Sequence, residues 1–192
     1  MYKWQSVDKK EPKQYKCDHC GNIVGSNLGY ESYDTNTAKK KIVGIIYICS
    51  VCGKPTYFDE YEVQIPACKF GSEVENLPDD INRLYNEARA CIGVGAYTAS
   101  VLACRKLLMN VAVNKGASEN QSFKQYVEYL DKEGYIAKGW KNWVDHIRDK
   151  GNDATHEIPA LTQKDAEKLV TFAQMLLQTM FEFPGKIKSD TE

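Results

Sequence analysis

Two groups of residues in this 192-residue chain have the types and the spacing to do chemistry. The first is four cysteines, Cys17 and Cys20 in CDHCGN, Cys49 and Cys52 in CSVCGK. Two residues between thiolates let both reach one ion from a tight turn, and the glycine after each pair supplies the positive φ such a turn wants. Two of these turns make a tetrahedral shell of four thiolates, which suits Zn2+, with an iron–sulfur or redox centre as the rival. His19 lies between two ligands, but four thiolates already complete the shell. A complete shell keeps no position open for water, so the zinc is expected to be structural.

The second group lies in HIRDKGNDATHE, residues 146–157. A neutral imidazole at His156 could take the proton from a ribose 2′-hydroxyl and return one to the leaving oxygen. The Arg148 guanidinium could hold the non-bridging phosphate oxygens in a fork as charge builds. Asn152 could orient the imidazole or bind phosphate, and Asp145 and Asp149 could hold Arg148 in place. Such a set could cleave RNA without metal. On an unbroken helix, however, Arg148 and His156 would be separated by about 12 Å of rise and about 80° of rotation. Either Gly151-Asn152 breaks the helix and folds His156 back, or a second copy supplies the partner group. The structural alternative is that Arg148 pairs with Asp145 or with an acid such as Glu87, while His156 caps a helix end.

These groups need elements to carry them. KIVGIIYIC, residues 41–49, is rich in β-branched residues and can pair with NIVGSNLGYESYD through the polar loop TNTAKKK. Residues 1–58 read as a zinc ribbon, and 59–76 complete a last strand begun at Thr56 and add a linker containing Pro66 and Gly71. So small a ribbon has almost no core, and metal binding is its folding energy, on the order of 10 kcal/mol or more.

From residue 77 the period becomes helical. Ile81, Leu84, Tyr85, Ala88 and Ile92 repeat at three and four after Pro78, Asp79 and Asp80. A second helix over 96–114 places Val101, Leu102, Leu108, Met109 and Ala112 on one face, and Gly116 ends it. Ser122 and Gln125 form a capping-box pattern for a third helix, stopped by Gly134. A fourth helix from about 138 carries Trp140, Trp143, Val144 and Ile147. Thr162 caps a fifth, with Leu169, Val170, Ala173, Leu176, Leu177 and Met180 inward, closed by Phe183-Pro184-Gly185. Residues 77–183 are thus expected to be a helical bundle and 184–192 a charged C-terminal tail, in an α+β chain overall.

Composition agrees with a globular protein: 43% hydrophobic and 27% charged residues. No run approaches eighteen apolar residues, and the N-terminus has no apolar signal region, so a soluble, cytoplasmic protein without a membrane partner is expected. Seven cysteines without an export signal do not read as a disulfide framework; Cys68, Cys91 and Cys104 read as linker or core thiols. Residues 1–58 hold nine lysines against five acids, an excess of four positive charges on an otherwise acidic chain. That hints at nucleic acid, although a solvated surface carries as much.

LPDDINRLYNEARACIGVGAYTASVLACRKLLMNVA, IRDKGNDATHE and LTQKDAEKLVTFAQMLLQTM, in that order, resemble a bacterial family of unknown function. That family recurs fused to restriction-type endonuclease subunits and in phage-defence neighbourhoods, and is similar to the HEPN superfamily of helical bundles. The resemblance covers residues 77–183. It implies a HEPN-like bundle, and many HEPN proteins are metal-independent RNases whose Arg and His meet at a dimer interface. By resemblance Arg148 and His156 would be the catalytic pair and Asn152 the associated polar residue. The usual family spacing is shorter than the seven residues between Arg148 and His156, and other members are non-catalytic. Arg105, in LACRKLL, also fits the family pattern; its plainer role is a half-buried ion pair.

Two functions are therefore in view. One is a homodimeric RNase of phage–host conflict whose ribbon grips RNA or DNA through Lys16, Lys39, Lys40 and Lys41 beside Tyr15, Tyr30, Tyr33 and Tyr47. The alternative is a non-catalytic module that binds nucleic acid or protein, dimerises, or docks on a partner nuclease or phage protein. Sensing of a nucleotide or other small ligand is a third possibility.

Overall fold

A computed structural model of the chain describes residues 4–36, 41–136, 140 and 161–189. The fold is α+β, in two compact units, Met1–Lys69 and Phe70–Glu192, the first a sheet and the second helical.

In the first unit five strands form an antiparallel meander: β1 (Asp8–Lys16), β2 (Ile23–Asp34), β3 (Lys41–Ile48), β4 (Pro55–Asp59) and β5 (Gln64–Ile65). The expected pairing of β2 with β3 is present, Tyr30 opposite Ile46 and Gly29 opposite Tyr47. Gly29 meets its partner so closely that a Cβ would stand 1.9 Å from the Ile46 carbonyl oxygen. Strand β1 has no clear signal in DKKEPKQYK because Pro12 cannot donate to a ladder. It forms on the sheet edge, and its register shifts between Lys9 and Lys13, around that proline. The single last strand expected from Thr56 onward is instead a hairpin. Asp59 Oδ1 accepts the backbone N–H of Tyr61 and of Val63, at 2.9 and 2.8 Å, and Glu62 takes a φ of 64°. An aspartate-built turn in DEYEV carries no Gly, Asn or Pro to announce it. Tyr15, Val24, Tyr47 and Phe58 make a small core beside the cysteines. The Phe58 ring sits nearly perpendicular to Tyr15 and Tyr47, with centroids 5.3 and 5.9 Å away.

The second unit is built from α1 (Asp79–Gly93), α2 (Tyr97–Asn114), α3 (Phe123–Lys132) and α4 (Gln163–Leu177). The first three end alike. Gly95, Gly116 and Gly134 take positive φ, and the next residue's N–H reaches back to the carbonyls of Cys91, Ala112 and Leu130. Ser122 with Gln125, and Thr162 with Asp165, close reciprocal capping boxes. Ser122→Ala is expected to cost about 1 kcal/mol, read as a lower midpoint of helical unfolding in urea.

Helix α2 packs on α1, α3 and α4, so no single face is its inner face. Ala103, Cys104, Leu107, Leu108, Val111 and Ala112 are buried, whereas Leu102, expected inside, is 50% exposed. A helix touched on several sides buries more than one stripe, and a single-stripe reading then misplaces its edges. The inward residues expected of α4 are all buried.

The expected stop at Phe183-Pro184-Gly185 does not occur. Proline has no N–H, and its ring crowds the carbonyl four residues back, here that of Met180. The chain answers by widening Gln178–Glu182 into one π turn, in which the Phe183 N–H reaches the Gln178 carbonyl. The released Met180 carbonyl accepts from Lys115 Nζ at 3.3 Å, and the helix continues as α5 (Phe183–Ser189). At the other end of this unit, the buried Arg89 guanidinium donates to the carbonyls of Phe70 and Gly71 and to Asn86 Oδ1 at 2.8, 3.1 and 2.9 Å. Those acceptors offset part of the cost of burying the charge and tie the entering segment to α1. No helix among the described residues is long and apolar enough to cross a membrane.

Candidate metal centre

The two C-x2-C-G segments form turns of one design. Cys17 N–H donates to the Asn22 carbonyl at 2.9 Å, and Gly21 N–H to the Cys17 carbonyl at 2.8 Å. In the second turn Cys49 donates to Lys54, and Gly53 to Cys49, both at 2.9 Å. Gly21 and Gly53 hold φ of 72° and 70°, which an L side chain rarely adopts. The first turn joins β1 to β2 and the second joins β3 to β4, so the meander brings them face to face.

The four sulfurs lie within 4.8 Å of one another. Cys17 Sγ is 3.8 Å from Cys52 Sγ, and Cys20 Sγ is 3.8 Å from Cys49 Sγ. A tetrahedron with metal–sulfur bonds of about 2.3 Å has edges of about 3.8 Å. A disulfide would need about 2.05 Å, and all four cysteines are free thiols. The donor set and the two 3.8 Å edges therefore fit one tetrahedral metal ion.

Burial pushes the Cys17 thiol up to about 12, against N–H groups of Cys20 and His19 that favour its thiolate. At Cys20 burial also raises the pKa, but hydrogen bonds from Asn22 outweigh it and bring the thiol down to about 7. Burial raises Cys52 as well. Cys52 N–H points at Cys49 Sγ, 3.5 Å away. Backbone N–H groups aimed at sulfur stabilise the thiolates that a cation requires. His19 is not among the ligands: its Nε2 lies 3.1 Å from the Pro55 carbonyl, joining the first turn to β4.

Three contacts not foreseen from sequence brace the first turn. Gln64 Nε2 and Cys68 Sγ both donate to the Lys16 carbonyl, at 2.9 and 2.8 Å, and Lys69 N–H donates to Asp18 Oδ1 at 3.2 Å. The hairpin that places Gln64 was itself hidden, so nothing in the sequence joined these residues.

The other sequence candidates fare differently. Arg148, Asn152, His156, Asp145 and Asp149 lie outside the described residues, as do Lys39 and Lys40. Lys41 Nζ is 2.7 Å from Glu60 Oε2, and Lys16 is exposed at the end of β1. Tyr15 and Tyr47 are core residues, 6% and 3% exposed, so they are not available to stack on a strand. Arg105 makes no ion pair among the described residues. Its guanidinium is half buried over the Phe123 ring, 4.6 Å from the centroid, and burial lowers its pKa.

A domain of unknown function (DUF4145) matches residues 86–191, more than half of the 192-residue chain. The chain belongs to the DUF4145 family. The DUF4145 match begins inside α1 and runs beyond α5, so it takes in Arg105 and the stretch containing Arg148, Asn152 and His156. The four-cysteine centre lies ahead of it. No curated protein and no solved structure matches the chain.

Proposed function

We propose that this DUF4145 protein is a zinc-ribbon, HEPN-like protein of phage–host conflict that acts as a homodimeric, metal-independent RNase. The observation that carries the reading is the cluster of four cysteine sulfurs within 4.8 Å of one another, with two of their separations at 3.8 Å. Such a cluster suits structural Zn2+ and leaves the chemistry to other residues. Within the DUF4145 match, Arg148, Asn152 and His156 have the types for phosphodiester cleavage: an acid–base imidazole, a guanidinium for the phosphate oxygens, and an amide to orient either. The dimer resolves the separation of Arg148 from His156 by drawing them from different copies.

The direct test is incubation of purified protein with RNA in buffer without added divalent cation. Cleavage leaving 2′,3′-cyclic phosphate ends supports the reading, because a 2′-hydroxyl attack produces them. A dimer with intact zinc that cuts no RNA overturns it. A second reading, a non-catalytic module that binds nucleic acid or a partner nuclease or phage protein, draws support from the seven-residue Arg148–His156 spacing.

A further inference from the structure

The helical unit holds an open cleft of about 730 Å³, lined from α2, the first turn of α1, the α2–α3 connection and α3. On α2 the lining is a row: Lys106, Asn110 and Asn114 stand one turn apart and share a ridge. Glu119, Asn120 and Gln121 of the connection and Asp80 of α1 supply the other polar groups. Tyr126 of α3 also lines the cleft.

The polar groups of this lining are unspent. Among the described residues the carboxamides of Asn110, Asn114, Asn120 and Gln121 make no hydrogen bond, and Asp80, Lys106 and Glu119 make no ion pair. Tyr126 is only 3% exposed, and its hydroxyl accepts the Gln121 N–H at 3.3 Å. The hydroxyl's own proton has no acceptor among the described residues. A buried donor left without an acceptor is costly, so water or a ligand in the cleft must supply one.

The row on α2 has nearly the pitch of an extended chain. Four residues of α-helix rise about 6 Å, and two residues of extended peptide span about 6.6–6.8 Å. A carboxamide carries a donor and an acceptor side by side, so it meets the C=O and N–H of one extended residue together. The carboxamides at 110 and 114 then serve alternate residues of one segment, and Lys106 continues the row.

We propose that this cleft binds an extended, basic peptide segment of a partner protein. The proposal rests on the partner-binding reading above, gives that reading its contact surface, and holds whether or not the protein cuts RNA. Spacing selects a peptide, because the α2 row offers donor–acceptor pairs at the repeat of alternate peptide residues. Charge selects its sign: the lining sets one ammonium, Lys106, against two carboxylates, Asp80 and Glu119. That balance favours lysine or arginine side chains and repels a polyanion.

The test is a titration of isotope-labelled, full-length protein with a short peptide of alternating lysine and threonine, followed by NMR. The side-chain amide resonances of Asn110 and Asn114 are expected to move. Asn110→Ala and Asn114→Ala should each weaken binding by about tenfold, the loss of a two-point hydrogen bond. Circular dichroism of both variants shows that the helices remain folded. A peptide of alternating glutamate and threonine should bind more weakly, and so should the lysine peptide with its backbone nitrogens methylated, because the carboxamides then lose the N–H groups they accept from. No shift at millimolar lysine peptide, or equal binding of the methylated peptide, overturns the proposal. So does tighter binding of an oligouridylate through the same two amides, which would assign the cleft to nucleic acid. Lysine peptide bound equally by both alanine variants overturns the cleft and leaves a partner-binding protein with its site elsewhere. Cleavage of RNA is read separately: peptide held through Asn110 by a protein that cuts nothing sinks the RNase and leaves the cleft standing.

Discussion

Stripping the proposed zinc is expected to unfold the sheet of Met1–Lys69 and to leave the helices of Phe70–Glu192 in place. The core of the first unit beyond its cysteines is Tyr15, Val24, Tyr47 and Phe58, far too little to offset the entropy of ordering five strands. Structural zinc supplies apparent binding energies of about 10–16 kcal/mol at neutral pH, larger than any single packing term here. The second unit has its own core across α1 to α4 and needs no ion. Metal analysis of the purified protein should return one zinc per chain, and Cys20→Ser with Cys52→Ser should return none. Hydrogen exchange should then show protection lost in β2 and β3 but kept in α2. Sheet protection that survives verified metal removal would show the centre to be dispensable for folding. Acid should act in the same direction as chelator. Binding requires thiolates, yet burial holds the Cys17 thiol at about 12, so loading the ion expels protons and retention weakens as pH falls. Zinc release to a colorimetric chelator, followed over a descending pH series, measures this.

His156→Ala is expected to lower RNA cleavage by about 10²- to 10⁴-fold, the usual contribution of a positioned acid–base group. Arg148→Ala should fall comparably, through loss of charge stabilisation at the phosphate. The two variants together test where the groups meet. If one site takes Arg148 from one copy and His156 from the other, a mixed dimer of the two variants holds one site with both groups intact and one with neither. Random mixing then restores about a quarter of the unmutated activity, because half the dimers are mixed and each has one working site of two. If both groups act within one copy, mixing restores nothing. Cleavage that survives His156→Ala would remove the acid–base role altogether. Circular dichroism of α1 to α4 controls for folding.

The four-cysteine cluster was legible residue by residue. Two C-x2-C-G segments, the β-branched strand after the loop, and the pairing of β2 with β3 all follow from local rules, because a turn and the next strand are set by residues a few positions apart. The same holds for the capping boxes at Ser122 and Thr162, the glycine stops of α2 and α3 and the inner face of α4. What stayed hidden depends on partners distant in sequence. Whether Tyr15 and Tyr47 are core or surface is decided by Phe58 closing over them, and equal tyrosines at 30 and 57 come out on the other face. Sequence gives α2 apolar residues on nearly every side; only the three helices around it decide which are buried. Proline at 184 signals a stop locally, yet Lys115, just past the end of α2, donates to the freed Met180 carbonyl and the helix continues. Local rules act through bonds and turns a few residues long, whereas burial and polar satisfaction are summed over whatever the fold brings near, and those sums exist only in three dimensions.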